Sequence, residues 1–370
     1  MKILSVVGAR PQFVKAFPVS RALRVADEEV IVHTGQHYDY ELSRVFFDEL
    51  DIPEPAHNLG VGSSTHGEQT ARVMSTFEPV LEREDPDAVI VYGDTNSTLG
   101  AALVAAKSEH LLAHVEAGLR SNNRSMPEEH NRVLTDHAAD LLLAPTDAAV
   151  DNLTREGLAE RTVLTGDVML DALLWAREAA ERRVSLLEEL DLELHEYLLL
   201  TVHRAANTDD PRRLEAIIDT MLDRPERVIF PIHPRTEAAL RSMGSLDRVE
   251  RGMTVLEPVS YLEFIQLVSN AAVAVTDSGG VQKEAFLLET PCVTLREETE
   301  WTETVEAGWN VLVGAEPRRI HAAIDRVRSS VNSDGKPRPY GDGSAGPAIV
   351  DAIRAAVQEG RTPVGHATGR

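Results

Sequence analysis

The chain has 370 residues, of which 43% are hydrophobic and 26% charged, so it can form two soluble domains, each with its own core. Its net charge of −23 excludes general binding to nucleic acids or acidic membranes, whose phosphates would repel such a surface. No apolar run is long enough to cross a membrane, and the short apolar start predicts no signal peptide.

The ionisable residues are biased towards carboxylates and arginine. Only five lysines occur, namely Lys2, Lys15, Lys107, Lys283 and Lys336. An excess of carboxylates with few lysines is typical of proteins that work in concentrated salt, where screening weakens repulsion between like charges, so we expect a halophilic host. The only cysteine, Cys292, excludes an intrachain disulfide and favours a reducing compartment, so we expect a cytoplasmic protein.

Apolar strand patterns alternate with helical patterns through the first half of the chain. This alternation predicts a parallel, doubly wound α/β sheet, because each crossover helix returns the chain for another parallel strand. The predicted strands span 2–7, 29–33, 87–92, 111–115, 140–144 and 162–165, and the predicted helices lie near 39–50, 66–84, 97–108 and 146–156, with another beginning at Pro127.

The pattern changes at residues 166–180, where a long charged helix is predicted, and we place a domain boundary there. The alternation then restarts, so the chain predicts two Rossmann-like doubly wound α/β domains that face a cleft. The strands of the second half are predicted at 197–202, 227–231, 253–256, 271–276, 291–295 and 310–313, with helices at 211–222, 235–242, 260–268 and 280–288 and a last helix at about 347–359.

A small, tight turn follows the predicted strand 271–276. Ser278, Gly279 and Gly280 join this strand to a helix, a geometry that directs free backbone N–H groups and the positive end of the helix dipole at an anion. Glycine also lets a phosphate approach the backbone closely. Glu284 lies about one turn into the helix, where a carboxylate can accept hydrogen bonds from ribose hydroxyls. An ordinary strand–helix turn uses the same small residues, so that alternative stays open at this point.

Charged side chains follow the predicted strands of the first half. Asp94 and Glu116 come after the strands 87–92 and 111–115, where α/β proteins build their sites. Arg10 and Lys15 flank the first strand–helix loop and can face the same place, although two solvated surface charges are the alternative. Glu128 lies at a helix start, where the dipole alone favours a carboxylate.

Two histidines, His203 and His233, follow strands of the second half at equivalent positions, which favours a site in the cleft. The sequence contains neither a His-Glu-x-x-His motif nor a cysteine cluster, so we predict no metal. The Ser-Gly-Gly turn matches neither Gly-x-Gly-x-x-Gly nor Walker A, so we predict no dinucleotide or ATP cofactor.

Six sequence blocks, in order, resemble the non-hydrolysing UDP-N-acetylglucosamine 2-epimerase family. They are Gly8-Ala-Arg-Pro-Gln-Phe-Val-Lys15, Gly93-Asp-Thr95, His114-Val-Glu-Ala-Gly-Leu-Arg120, Pro127-Glu-Glu-His-Asn-Arg132, Val202-His-Arg204 and Thr276-Asp-Ser-Gly-Gly-Val-Gln282. The resemblance implies a glycosyltransferase-B-like fold whose last helix crosses back, which gives domains 1–167 plus 346–370 and 168–345. It also implies a UDP-sugar substrate, no cofactor and a homodimer.

The family interconverts UDP-GlcNAc and UDP-ManNAc, which implies elimination of UDP to a 2-acetamidoglucal and re-addition with C2 inverted. Carboxylates suit this chemistry, because they stabilise positive charge on a sugar ring and can move a proton. By their match to the family motifs, the implied catalytic residues are Asp94, Glu116, Glu128 and His203. The implied substrate-binding residues are Arg10, Lys15, Arg132, His233, Phe264, Ser278, Gly279, Gly280 and Glu284.

Three departures from the family pattern bear on substrate and regulation. Trp301, in Thr299-Glu-Trp-Thr-Glu303, replaces an arginine and offers one N–H and an apolar face. Asp39 replaces a glutamine of the bacterial allosteric loop, so activation by a second UDP-GlcNAc stays open, and Ala205 follows Val202-His-Arg204 where an arginine is usual. The main alternative substrate is UDP-2,3-diacetamido-2,3-dideoxyglucuronic acid. A glycosyltransferase and a non-catalytic UDP-sugar-binding protein are more distant alternatives.

Overall fold

Two all-parallel sheets organise the chain. The computed structural model describes residues 1–35, 52–330 and 337–360, so the predicted helix at 39–50 and the substituted allosteric loop lie outside the described residues, as does the side chain of Arg10. The chain divides into a first unit, Met1–Ala172 with Arg338–Arg370, and a second unit, Leu173–Pro337. The division based on sequence lies at residues 167 and 346.

The first unit contains a seven-stranded sheet with strand order β3-β2-β1-β4-β5-β6-β7, in which neighbouring strands are parallel. Its elements are β1 (Lys2–Val7), α1 (Arg10–Leu23), β2 (Glu28–His33), β3 (His57–Asn58), α2 (His66–Glu84), β4 (Ala88–Tyr92), α3 (Asn96–Ala105), β5 (Leu111–Val115), α4 (Pro127–Ala138), β6 (Leu141–Ala144), α5 (Asp147–Arg155), the short 3-10 helix Ala159–Arg161 and β7 (Thr162–Leu164). Helix α6 (Val168–Arg183) leads into the second unit.

The second unit contains a six-stranded parallel sheet with strand order β10-β9-β8-β11-β12-β13. Its elements are α7 (Leu186–Glu189), β8 (Tyr197–Thr201), α8 (Ala205–Thr208), α9 (Pro211–Leu222), β9 (Arg227–Pro231), α10 (Pro234–Ser242), α11 (Leu246–Gly252), β10 (Thr254–Leu256), α12 (Tyr261–Asn270), β11 (Val273–Thr276), α13 (Gly279–Leu287), β12 (Cys292–Thr294), α14 (Thr302–Glu306), β13 (Asn310–Leu312) and α15 (Pro317–Ser330).

Helix α16 (Ala345–Gln358) belongs to the first unit and packs against α1. Gly346 lies against the backbone of α1, where an added Cβ would come within 2.6 Å of the carbonyl oxygen of Pro18. Only a residue without a side chain allows the two helices to approach this closely.

The central strands are largely apolar, because helices cover both faces of a parallel sheet. All five residues of β4, Ala88–Tyr92, are fully buried. Each strand predicted from the sequence is present in the described residues, with ends that differ by at most a few residues. The pattern did not predict β3, whose two residues are too few to show alternation. It also did not predict the short helices α7, α8 and α11 or the longer helix α15.

Candidate functional site

Each sheet has a point where the strand order reverses, and α/β proteins bind ligands at such switch points. In the first unit this point lies between β1 and β4, and in the second unit between β8 and β11. The connections on either side of a switch point run to opposite faces of the sheet, so the loops separate and leave a crevice. Asp94 follows β4 and the Ser278–Gly280 turn follows β11, so both lie at switch points.

A buried glutamine joins the two loops at the switch point of the first unit. The side-chain oxygen of Gln12 accepts hydrogen bonds from the backbone N–H groups of Gly8 (2.8 Å) and Ala9 (3.0 Å). Its amide donates to the carbonyl oxygen of Tyr92 (2.7 Å) and the hydroxyl of Thr98 (2.9 Å). Gln12 therefore fixes the loop after β1 against the end of β4, a role that the sequence pattern did not predict.

Lys15 and Glu116 form an ion pair beside Gly93. The Lys15 ammonium contacts the Glu116 carboxylate, and the two side chains are only 15% and 11% exposed. A Cβ added to Gly93 would lie 3.1 Å from both charged groups, and its φ of +64° also favours glycine. Burial alone lowers the pKa of Lys15, but Glu116 and Asp94 outweigh burial and raise it above its ordinary value. Lys15 is therefore a cation at neutral pH.

Helix α4 orients Asp94. One Nη of Arg132 lies 2.6 Å from Asp94 Oδ2, and the other donates to Glu129 Oε2 at 2.9 Å. The side-chain amide of Asn131 donates to the backbone carbonyl of Asp94 at 2.9 Å. Arg132, which we predicted as a substrate-binding residue, thus holds a predicted catalytic carboxylate in place.

Glu129 is the buried carboxylate at the start of α4, whereas Glu128 is exposed. Glu129 accepts hydrogen bonds from the backbone N–H and hydroxyl of Ser121 and from the N–H of Asn122, each at 2.9 Å. Burial opposes ionisation, yet these bonds hold the pKa of Glu129 below its ordinary value. Glu128 makes no hydrogen bond within the described part of the chain, so its catalytic role stays a prediction beside the helix-start alternative.

A buried carboxylate organises the switch point of the second unit. Asp277 is fully buried and accepts hydrogen bonds from the backbone N–H groups of His203 and Arg204 and from the side-chain amide of Asn207, each at 3.0 Å. These bonds tie the loop after β8 to the loop after β11. Asp277 and His203 are 74 residues apart in the chain, so no local pattern predicted the contact.

The Ser278–Gly280 turn begins α13, and its two glycines have different surroundings. A Cβ added to Gly279 would collide with the carboxylate of Glu300. A Cβ added to Gly280 would have only Ser278 Oγ near it, at 3.8 Å, and Gly280 is exposed. The first N–H groups of a helix have no partner within the helix, so the open side at Gly280 is where an anion can approach them.

Trp301 contacts this turn. Its indole N–H donates to the carbonyl oxygen of Gly279 at 2.8 Å, and the Lys283 ammonium lies 4.7 Å from the centre of its ring. Arg296 Nη1 lies 2.9 Å from the Glu300 carboxylate that flanks Gly279. The single N–H of Trp301 is therefore used within the protein.

His203 and His233 lie next to each other, with ring centres 5.3 Å apart. His203 Nδ1 is 3.4 Å from Asp277 Oδ1. Burial lowers the pKa of His203 below its ordinary value, although Asp277 opposes this shift, so the ring is neutral at pH 7. The exposed His233 accepts a hydrogen bond from the N–H of Arg235 at 3.1 Å and caps helix α10.

Glu284 and Phe264 are both partly buried, in α13 and α12 respectively. Their contacts with ribose and uracil stay predictions. Among the described residues, no group of three or more His, Cys, Asp or Glu side chains could hold a metal ion. No helix in the described ranges is both long and apolar enough to cross a membrane.

Comparison with known proteins identifies the family. Residues 21–354 match the family model described as UDP-N-acetylglucosamine 2-epimerase. A UDP-N-acetylglucosamine 2-epimerase homolog of Methanococcus maripaludis is 47% identical over 357 residues, which cover 96% of this chain and 99% of the relative. A UDP-2,3-diacetamido-2,3-dideoxy-D-glucuronate 2-epimerase of Pseudomonas aeruginosa is 44% identical, over 95% of this chain and 99% of its own.

The fold agrees with that of a solved member. The structure of Methanocaldococcus jannaschii UDP-GlcNAc 2-epimerase in complex with UDP-GlcNAc and UDP matches with a TM-score of 0.79 and 42% identity, over 96% of this chain and 100% of that chain. The predicted fold class, two doubly wound α/β domains of the glycosyltransferase-B-like type, is confirmed. The chain belongs to the UDP-N-acetylglucosamine 2-epimerase family, as its six sequence blocks predicted.

Proposed function

We propose that this protein interconverts UDP-GlcNAc and UDP-ManNAc by elimination and re-addition of UDP. The strongest support is the pair of carboxylates Asp94 and Glu116, which lie beside the charged partners Arg132 and Lys15 at a switch point. A protein that only binds a UDP-sugar would not need these carboxylates. The choice of UDP-GlcNAc as substrate is supported by a member of the family, the Methanocaldococcus jannaschii enzyme, whose structure was solved in complex with UDP-GlcNAc and UDP.

In the proposed reaction, the C1–O bond breaks and its electron pair leaves with UDP. The C2–H proton passes to a carboxylate, which gives the 2-acetamidoglucal. Return of a proton to the opposite face of C2 and of the UDP oxygen to C1 completes the epimerisation, so no co-reactant is consumed. Because C1–O cleavage leaves positive charge on the ring, nearby carboxylates stabilise it and can also move the proton.

In this reaction each set of residues acts on one part of the substrate. Asp94, Glu116 and Glu128 act on the sugar ring, with Asp94 oriented by Arg132 and Glu116 by Lys15. The N–H groups of the Ser278–Gly280 turn bind the diphosphate. His203 and His233 stabilise the leaving group, Glu284 binds the ribose, Phe264 lies beside the uracil, and Arg10 adds a cation.

UDP-2,3-diacetamido-2,3-dideoxyglucuronic acid is the second candidate substrate, because the Pseudomonas aeruginosa relative that is named for it is 44% identical. Its C6 carboxylate would need a cation, and no motif of this chain supplies one beyond the shared blocks. The test is proton NMR of the purified protein with each UDP-sugar. We expect a higher kcat/KM for UDP-GlcNAc, and a strong preference for the diacetamido acid would contradict the choice.

We further propose a halophilic, cytoplasmic homodimer that supplies precursors for surface polysaccharides. The net charge of −23 with five lysines supports the halophilic part. The scarcity of cysteine supports a reducing compartment. Light scattering in molar KCl tests the dimer, and a monomer at micromolar concentration would contradict it.

A further inference from the structure

A buried histidine lies directly beneath the strand ends that carry Asp94 and Glu116. His114, in β5, is completely buried. Its Nε2 is 2.8 Å from the carbonyl oxygen of Gly93, and its Nδ1 is 2.7 Å from Asp136 Oδ1. Neither His114 nor Asp136 can reach a substrate from this depth, so their role must be exerted through the backbone.

Hydrogen bonds fix the side chains of His114 and Asp136 in place. A carbonyl oxygen only accepts hydrogen bonds, so Nε2 carries a proton. The Asp136 carboxylate also accepts from the N–H of Gly118 at 3.1 Å and pairs with Arg120 at 2.7 Å, and both contacts favour its ionised form. Burial alone raises the pKa of Asp136, but His114 and Arg120 hold it below its ordinary value. The Asp136 carboxylate is therefore held by His114, Gly118 and Arg120 together.

Arg120 links Asp136 to a second carboxylate. It also forms two hydrogen bonds to Glu156, each 2.8 Å long, and His137 lies 3.1 Å from the same carboxylate. Arg120 thus lies between two carboxylates, Asp136 and Glu156. Such pairing makes buried charge tolerable, because each ion replaces lost hydration with hydrogen bonds.

The hydrogen bonds of His114 and Asp136 surround a residue with a strained backbone. Glu116 has a φ of +71°, in the left-handed region that residues with side chains rarely adopt. His114 comes two residues before Glu116, and Gly118, whose N–H binds Asp136, comes two residues after it. Asp136 therefore holds the chain on both sides of Glu116, while His114 holds the carbonyl that precedes Asp94.

We propose that His114 and Asp136 are positioning residues that keep the backbones of Asp94 and Glu116 in register. The proposal rests on the catalytic roles proposed above for these two carboxylates. It extends them, because it explains how two loops from different strands present their side chains at one place.

Two substitutions of Asp136 separate geometry from simple loss of a core residue. In Asp136→Asn the amide oxygen can accept from Gly118 and the amide nitrogen can bond to His114 Nδ1, while His114 Nε2 still binds Gly93, so we expect kcat within about tenfold of wild type. Asp136→Ala removes every bond, and we expect kcat to fall about 100-fold, the scale for a misplacement of about 1 Å. KM and UDP affinity should stay near wild type.

Asp140→Ala is the matched control. Asp140 is also a buried carboxylate, and it accepts from the N–H of Leu112 at 2.9 Å, at the opposite end of the same strands. We expect it to lower the melting temperature without lowering kcat. Wild-type kcat in Asp136→Ala would overturn the proposal, and so would an equal loss of kcat in Asp140→Ala or in Asp136→Asn.

If Asp94→Asn and Glu116→Gln stay active, the proposed function fails. A wild-type kcat in Asp136→Ala, found together with inactive Asp94→Asn and Glu116→Gln, would contradict only the positioning role.

Discussion

Gly280→Val tests whether the turn before α13 binds the diphosphate. The substitution is sterically permitted, because the added Cβ has only Ser278 Oγ near it, at 3.8 Å. Valine is also a slightly better helix residue than glycine, so the melting temperature should stay the same or rise a little. The side chain would instead fill the open space through which an anion reaches the first N–H groups of the helix.

The expected loss is that of a few charge-assisted hydrogen bonds, about 2–4 kcal/mol. This corresponds to a Kd for UDP that is about 30- to 700-fold higher. Isothermal titration calorimetry measures it directly, and Gly280→Ala should give an intermediate value because its side chain is shorter.

Gly67→Val is the matched control for this prediction. Gly67 is also the second residue of a helix, α2, it is exposed, and a Cβ there would meet nothing within 4 Å. It should change the melting temperature as Gly280→Val does and leave UDP affinity unchanged. Near wild-type UDP affinity in a folded Gly280→Val would refute the assignment of the turn. Gly279→Ala is a poorer test, because its Cβ would displace Glu300.

Four further predictions concern catalysis, protonation, salt and Trp301. Asp94→Asn and Glu116→Gln should each lower kcat by at least about 100-fold with little change in UDP affinity, and a fully active Glu128→Gln would return Glu128 to a helix-start role. The pKa of His203 lies below its ordinary value in the free protein, and a bound diphosphate should raise it, so UDP binding at pH 7 should take up protons and weaken as pH rises. Calorimetry in buffers of different ionisation enthalpy measures this proton uptake, with His203→Gln as control, and the absence of uptake in the wild type would contradict the prediction. The melting temperature should rise from low salt to molar KCl, and a flat or falling trend would speak against a halophilic protein. Trp301→Phe removes one hydrogen bond to Gly279 worth about 0.5–1.5 kcal/mol, so UDP binding should weaken about 2- to 10-fold. The ratio of kcat/KM for the two candidate sugars should stay constant, and a changed ratio would indicate that Trp301 contacts the sugar.

The sequence predicted those parts of the fold that depend on local pattern. Apolar runs such as Ala88–Tyr92 identified the strands because a parallel sheet is covered on both faces. The strand ends then located Asp94, Glu116 and the Ser278–Gly280 turn. The strand orders of the two sheets place Asp94 and the Ser278–Gly280 turn at switch points. These positions could be predicted because the change from an apolar run to polar residues at a strand end takes place within a few residues of sequence.

The partners that orient the site were not predictable, because they are distant in the chain. Asp277 binds the His203 backbone across 74 residues, and Gln12 reaches Tyr92 across 80. One contact did have a local signal: Glu129 and Arg132 are three residues apart on α4, a spacing that brings side chains together on a helix. Glu128 lies four residues before Arg132, a spacing that also permits contact, so the burial of Glu129 and not its spacing distinguishes the two glutamates.

The most direct test of the proposed reaction is to follow turnover in D2O by proton NMR, with UDP-GlcNAc as substrate. Elimination removes the C2 proton and re-addition returns one from solvent, so the UDP-ManNAc that forms should carry deuterium at C2. Recovered UDP-GlcNAc should also become labelled as the reaction approaches equilibrium. Formation of UDP-ManNAc with an unlabelled C2 would contradict elimination, and no epimer from UDP-GlcNAc would contradict the proposed substrate.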